Sequence, residues 1–571
     1  MQIRRHDLRF ILVFFALLFG LGFFIVKLIL IQIFNAEHLA SLAAKQHNQY
    51  IKLDPLRGMI LDRNLRPFAV NITMYSLYAN PRIMTDEEKA KALERLPKII
   101  AIDRALLKDR LSKDKLFVWI KRKLPKEMME EIKSLRIGGL DFVAESKRFY
   151  PNGSLAAHVI GFAGVDNLGL EGIELNYNKY LQGEPGRRFI LRDAKQRGLI
   201  IEKNYLAPKD GYNIVLTIDE TIQYITEQAL KRGIEKHHAK AGTAIVMDIR
   251  TGEILALANS PTYNLEEAAK SNPESRTNRA VTYVYEPGSI FKIVTASAAL
   301  EENAFVETDK IYCENGSYRI ANHTLTDHTP HGTLTFSQVI EKSSNIGTVK
   351  IAQKLGADII YKYGKLFRFG QRTGIDLQGE VNGWLKETRL WSKTTIGAIP
   401  IGYEITATPI QLVSVMASIA NDGQYMRPFV VKYIKDNHGE VVQSTEPQVL
   451  DRTISMDTSR RLREILTRVV DQGTAKAAAV KGVKVGGKTG TARKVVNGAY
   501  ARGKYYASFV GFAPTDNPRI AAIVVVDEPY PSYFGGTVSA PIFKEIMENS
   551  LKYLETTDYY NLETVDENAA P

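Results

Sequence analysis

The first hydrophobic block of the chain is longer than a globular core element needs. Residues 10–26 are apolar without a break, Lys27 interrupts them, and residues 28–31 resume the run. A block of about 22 residues covers the hydrocarbon thickness of a bilayer, and the Lys27 stem can carry its charge to the interface. The run outlasts the roughly 7–15-residue apolar core of a secretory signal, and no small-x-small cleavage pattern follows it. An uncleaved anchor is therefore expected over 10–31. Arg4, Arg5 and Arg9 on its N-terminal side place residues 1–9 in the cytoplasm, and everything after about Gln32 outside.

Residues 36–48 then read as a polar amphipathic helix (Ala36, Leu39, Leu42, Ala43). The stretch 49–205 is mixed, with helical segments near 86–96 and 125–135, scattered short strands, and turns rich in Gly, Pro, Asn and Asp. From about Asp210 the pattern sharpens. Residues 212–218 alternate as a half-buried strand does, and Ile222, Ile225, Ala229 and Ile234 recur at helical spacing. Two apolar runs, 243–247 and 254–258, flank the turn-forming Asp248-Ile-Arg-Thr-Gly252 and predict a hairpin. A second hairpin is predicted from 506–512 and 520–526 around Thr515-Asp-Asn-Pro518, followed by a helix over 540–554 with Pro541 in its first turn. Between the hairpins, 287–475 reads as mainly helical. The pattern thus divides the chain into a cytoplasmic tail (1–9), an anchor (10–31), a mixed domain (36–205), an α/β domain (210–555) and an acidic disordered tail (556–571). No internal repeat is evident.

Composition narrows the classes. The 571 residues suggest two to four domains, and 45% hydrophobic with 24% charged residues is ordinary globular composition. The net charge of +12 admits an anionic partner. No Lys/Arg run is long or interleaved with aromatics, so nucleic acid is not expected. Cys313 is the single cysteine. It excludes an intramolecular disulfide and reads as a small buried hydrophobe; near-absence of Cys fits an exported chain.

Three short motifs carry candidate chemistry: Ser289-Ile-Phe-Lys292 after Glu286-Pro-Gly288, Ser343-Ser-Asn345, and Lys488-Thr-Gly490 between Gly486-Gly487 and Thr491-Ala492. Ser289 falls near the N-terminus of an apolar helix, where free N–H groups favour negative charge. Lys292, three residues on, shares its face. A serine hydroxyl needs a base. A neutral lysine serves if its pKa falls from about 10.4 toward 7, which takes on the order of 4–5 kcal/mol of burial and nearby positive charge. Ser343 is expected to relay a proton and Asn345 to bind a substrate amide. Gly486, Gly487 and Gly490 suit an edge strand against which a substrate backbone lies. Thr489 and Thr491 are candidates for a substrate carboxylate, with Lys488 supplying positive charge. The N–H groups of Ser289 and Thr491 are the expected oxyanion hole. Each motif alone is commonplace; the three in this order are specific.

In that order the motifs resemble those of the penicillin-binding proteins and serine β-lactamases. Arg57-Gly-Met-Ile-Leu-Asp62-Arg63-Asn64 is similar to the opening of the class B pedestal. Phe149-Tyr150-Pro151, His158-Val-Ile-Gly161 and Gly169-Leu-Glu171-Gly172 continue the likeness. Asn278-Arg279-Ala280, Glu286-Pro-Gly288 and Ala507-Ser-Phe-Val-Gly511-Phe512-Ala513-Pro514 look most like the FtsI-type, division-specific branch. Leu65 departs from the pattern, standing where the family often has glycine. The resemblance implies an α/β transpeptidase domain, with a central antiparallel sheet, helices and an all-helical subdomain, behind an elongated α+β pedestal of dimerisation type and one transmembrane helix. It implies a peptidoglycan D,D-transpeptidase that forms a Ser289 acyl-enzyme during septal wall synthesis, is acylated by β-lactams, and uses no metal or cofactor. No Glu-x-x-Leu-Asn follows Ser343, so the deacylating loop of class A β-lactamases is missing. Residues 49–205 lack the Glu-Asp-x-x-Phe of a glycosyltransferase module. Glycan polymerisation would then fall to an FtsW-like membrane partner among other division proteins in the inner membrane. Competing readings are an elongation-specific class B relative, a β-lactam sensor or hydrolase, and a division scaffold.

Other residues have plainer readings. His323, His328 and His331 with Asp327 match no common zinc spacing and read as a loop network. Arg57, Asp62 and Arg63 read as turns and ion pairs inside the pedestal, with a partner surface as the alternative.

Overall fold

The computed structural model describes residues 5–34, 48–192, 198–200 and 205–567. Two compact units emerge: residues 1–56 with 183–210, and residues 57–182 with 211–571. In the first, a helix Arg5–Ile29 passes into a π-turn Leu30–Phe34. Its span Phe10–Ile33 has a mean hydropathy of 2.7 and is long enough to cross a membrane. Strand Asn48–Leu53 pairs antiparallel with Gly186–Arg192, which pairs with Gly198–Ile200. The amphipathic helix expected over 36–48 falls outside the described residues, save Asn48, which opens that strand.

The second unit begins with a sheet built around the long strand Pro67–Ala79. Leu140–Phe149, Val118–Leu124 and Ile60–Leu61 all pair with it. Helices Asp86–Ile100 and Lys126–Ser134 match the segments expected near 86–96 and 125–135. Thr85 and Glu88 close a capping box on the first. Leu77, Leu96, Leu107, Ile120 and Ile132 form its core. This sheet does not stop where the expected mixed domain ends. Ile60–Leu61 also runs parallel to Asn213–Leu216, which pairs with Val431–Lys435, so seven strands form one sheet.

The rest of this unit is organised by five antiparallel strands: β1 (Ala241–Asp248), β2 (Ile254–Ser260), β3 (Gly486–Val496), β4 (Ala499–Ala513) and β5 (Ile520–Asp527), in the order β2-β1-β5-β4-β3. Both expected hairpins are present, β1–β2 and β4–β5. β1 and β5 are buried nearly throughout, so both faces of the sheet must be covered. Gly242 lies against Leu230 and Ile234 of helix α1 (Glu220–Lys236). Met247, an odd number of residues along the same strand and so on the opposite face, meets Ser414 Oγ of Pro409–Ala420.

The middle segment is dominated by helices, among them α2 (Lys292–Glu301), α3 (Asn345–Leu355), α4 (Pro409–Ala420) and α5 (Met456–Asp471). Short two-stranded ladders such as Ser317–Ile320 with His323–Thr326 lie between them. The last helix, α6, spans Gly535–Glu567. It starts before the expected residue 540, so Pro541 lies inside it instead of in its first turn. The reason is tertiary: Val538, Ser539 and Ala540 are fully buried, and Ser539 Oγ donates to the Ala507 carbonyl at 2.9 Å. Its backbone continues through Glu567, into the region expected as a tail.

Candidate active site

Ser289 sits in a 3-10 turn, Gly288–Ile290, directly before α2, and Lys292 is the first residue of that helix. Gly288 has φ +55° and donates its N–H to the Gly402 carbonyl at 3.1 Å. A Cβ at Gly288 would lie 3.0 Å from the Thr491 carbonyl oxygen, so glycine lets the turn rest on β3. Reciprocally, a Cβ at Gly490 would lie 3.0 Å from Ile290 Cγ1. The first and third motifs therefore meet although nearly 200 residues separate them.

The second motif completes the cluster. Ser343 has φ +58°, a left-handed conformation costing a non-glycine residue about 1–2 kcal/mol. Such strain is characteristic of functional sites. Here the backbone turn presents both the carbonyl and the hydroxyl of Ser343 to Lys292, whose Nζ donates to them at 2.6 and 3.2 Å and to Asn345 Oδ1 at 2.7 Å. Lys488 Nζ reaches the same Ser343 Oγ at 2.9 Å and the Thr489 carbonyl at 3.4 Å. Both lysines are fully buried. Burial drives the Lys292 amine well below its ordinary pKa, helped by the nearby Lys488 charge and opposed by Asp327. Burial alone brings Lys488 down to about 7.

The three-residue spacing puts Lys292 on the face of Ser289 and within side-chain reach of it. In the structure the amine gives its hydrogen bonds to the second motif, and the half-buried Ser289 hydroxyl bonds no other described residue. A neutral amine has two N–H donors. The two shortest acceptors, Ser343 O and Asn345 Oδ1, engage both and leave its lone pair for a hydroxyl.

β3 is the outer strand of the sheet, as the glycine pattern suggested; Lys488, Thr489, Gly490 and Thr491 pair with Val510, Phe509, Ser508 and Ala507. Thr489 Oγ1 lies 3.0 Å from Thr474 Oγ1, and Thr491 Oγ1 accepts the Gly535 N–H at 3.2 Å.

Sequence reasoning missed the residues that brace these motifs. Asp327 was read as part of a histidine loop. Its carboxylate takes Ser344 Oγ and the Asn345 N–H at 2.5 Å each and the Ile346 N–H at 3.1 Å, capping α3. The Thr326 carbonyl holds Asn345 Nδ2 at 2.9 Å, which turns Oδ1 toward Lys292. An acid 18 residues upstream leaves no local signal for this. Among the described residues no group of three or more His, Cys, Asp or Glu is arranged to hold a metal; the His328 ring packs on Phe534 at a 46° tilt, with ring centroids 4.9 Å apart. Arg57 is buried, its Nε 2.6 Å from Glu174, which also receives Arg148 Nε at 2.6 Å. Asp62 and Arg63 reach beyond the pedestal. Asp62 accepts the Glu220 N–H at 3.3 Å, and Arg63 pairs with Glu253 at 3.3 Å.

Comparison with known proteins agrees with this architecture. The penicillin-binding protein transpeptidase domain matches residues 242–548, and the penicillin-binding protein dimerisation domain matches 52–216. The chain is 37% identical over 509 residues to a probable peptidoglycan D,D-transpeptidase PenA of Neisseria meningitidis, covering 88% of this chain and 85% of that one. It is 31% identical over 552 residues to the peptidoglycan D,D-transpeptidase FtsI of Escherichia coli (95% and 91% covered), and 35% identical over 553 residues to stage V sporulation protein D of Bacillus subtilis (95% and 85%). Among solved structures, a peptidoglycan synthetase from Bifidobacterium adolescentis superposes with a TM-score of 0.71 at 26% identity, covering 89% of this chain and 97% of that one. Two-domain matches, extended identity and a shared fold lead to one assignment: the chain belongs to the class B penicillin-binding proteins.

Proposed function

We propose that the protein is a peptidoglycan D,D-transpeptidase of septal wall synthesis that works through an acyl-enzyme on Ser289. The observation that carries this is the shared hydroxyl: two buried lysines, from α2 and β3, converge on Ser343 Oγ at 3.2 and 2.9 Å beside the turn that bears Ser289.

In this reading the Lys292 amine, neutral through burial, takes the Ser289 proton as Oγ attacks the carbonyl of the penultimate D-alanine of a stem peptide. The N–H groups of Ser289 and Thr491 receive the developing oxyanion. Collapse breaks the C–N bond, and the proton passes by way of Ser343 to the departing amine of the last D-alanine. The acyl group then forms an amide with an amine of a neighbouring stem peptide, and Ser289 recovers its proton. Asn345 orients the substrate amide. Lys488, with Thr489, Gly490 and Thr491, holds the terminal carboxylate, which is charge-assisted and so among the stronger hydrogen bonds. A β-lactam follows the same first step, but its leaving group stays tethered to the acyl-enzyme.

The apolar N-terminal helix fits a single-pass membrane anchor. The arginines preceding it support a cytoplasmic N-terminus and an extracytoplasmic catalytic domain. We assign residues 10–31 to the anchor, 36–205 to the pedestal and 210–555 to the transpeptidase domain. The septal role is supported by the likeness to proteins named FtsI. A separate FtsW-like membrane polymerase would supply the glycan strands.

Release of D-alanine from a pentapeptide-bearing glycan by the purified chain tests the chemistry. Ser289→Ala and Lys292→Arg should both abolish it, the latter because a guanidinium cannot accept a proton. Normal turnover in Lys292→Arg would refute the base. A fluorescent fusion gathering at mid-cell, with filaments on depletion, is expected for the septal role; sidewall signal and spherical cells would point to elongation instead.

A further inference from the structure

The strongest unassigned feature is the carboxyl of Glu286, three residues before Ser289. Its Oε1 accepts the Glu404 N–H at 2.9 Å and the Tyr500 hydroxyl at 3.1 Å, whereas its buried Oε2 has no partner among the described residues. These bonds join three separate pieces of chain. Glu286 belongs to the nucleophile turn. Glu404 belongs to the segment whose Gly402 receives the Gly288 N–H, and Gly402 packs so closely on Gly288 that no side chain fits there. Tyr500 belongs to the outer end of the β3–β4 hairpin.

That outer end is an arm. The β3–β4 register shifts between Arg493 and Val495, just beyond the third motif, and such a bulge bends the strand it interrupts. Past it, Asn497 and Gly498 take φ +53° and +79°, the signature of a tight hairpin turn. Residues 495–500 and 502–504 are exposed, so little packing fixes the arm. At its root Lys494 pairs with Asp527 and Glu528, and Lys504 with Glu528. Toward its tip Tyr500 bonds Glu286 and packs edge-to-face with the Tyr403 ring, centroids 5.9 Å apart.

We propose that Glu286 is a positioning residue: its carboxyl clasps the hairpin arm to the nucleophile turn, so that closing the arm and seating Ser289 against β3 are one event. The inference rests on Ser289 as nucleophile. Substrate or drug entering along β3 meets the arm closed when Tyr500 is bonded and open when it is not. A small displacement of the turn is enough to matter, because misplacing a reacting group by about 1 Å costs up to a hundredfold in rate.

The test uses the full chain in detergent, with two readouts. One is the second-order rate of acylation by a fluorescent penicillin; the other is amide exchange over 495–503. Glu286→Ala and Tyr500→Phe should each speed exchange in the arm and slow acylation, by about tenfold for the first. Glu286→Gln keeps an acceptor oxygen for both bonds and should restore most of the loss. Should Glu286→Ala fail to fold, Tyr500→Phe still decides, because Tyr500 is 46% exposed and removes only the arm's bond. Arm exchange and acylation at wild-type rates in Tyr500→Phe would overturn the clasp. So would a Glu286→Gln protein as slow as Glu286→Ala, which would make charge the operative property. A wild type that acquires no label would overturn the nucleophile itself, whereas slowed but complete labelling in the variants bears only on the clasp.

Discussion

In the proposed mechanism two lysine side chains carry the chemistry, and burial lowers the pKa of both. Lys292 is driven down by burial and by the Lys488 charge together, whereas burial alone brings Lys488 to about 7. The repulsion between the two amines falls on Lys292, so the proposed mechanism uses the state in which a neutral Lys292 stands beside a charged Lys488. The signs give a bell. In that mechanism acylation rises with pH as Lys292 becomes neutral, then falls as Lys488 loses the charge proposed to hold a carboxylate. The second-order constant reports the free enzyme, so its alkaline midpoint is expected near about 7. In the saturated complex the bound carboxylate moves that limb upward. A second-order constant still climbing at about pH 9 would show that Lys488 charge is not required. The residue types of this site were legible because each motif is short and ordered. The bonds among them were not: the Lys292 amine turns to Ser343 and Asn345, and Asp327 caps α3 from a distant hairpin.

Elements reveal where local pattern sufficed. The hairpins β1–β2 and β4–β5 were readable because apolar strands flank turn residues. The start of α6 was not, because burial of Val538, Ser539 and Ala540 against the sheet extends it ahead of Pro541. The turn after Ile60–Leu61 shows the reverse, a local departure with a visible cost. Leu65 has φ +66° and is 54% exposed. A leucine there is strained and gains little from burial, so Leu65→Gly should stabilise the protein by about 0.5–1 kcal/mol, read as a shifted denaturation midpoint. A destabilised variant would mean that the leucine side chain has a partner that offsets its backbone strain.

At the scale of the whole molecule, the seven-stranded sheet couples the segments that precede and follow residues 183–210. One of its strands carries Arg148 into the Arg57–Glu174–Arg148 cluster, in which one buried carboxylate serves two buried guanidiniums and also receives the Tyr150 hydroxyl at 3.2 Å. Removing it strands two buried cations, so Glu174→Ala should cost about 3–5 kcal/mol of stability. Nothing in the sequence distinguished this glutamate, because its partners lie 117 and 26 residues away. The proposed cleft is made elsewhere, where α2, α3 and β3 converge. That convergence is tested most directly by peptide mapping after reaction with benzylpenicillin. A single stable penicilloyl group is expected on Ser289, absent in Ser289→Ala. A modified peptide lacking Ser289, or an adduct that survives Ser289→Ala, would contradict it.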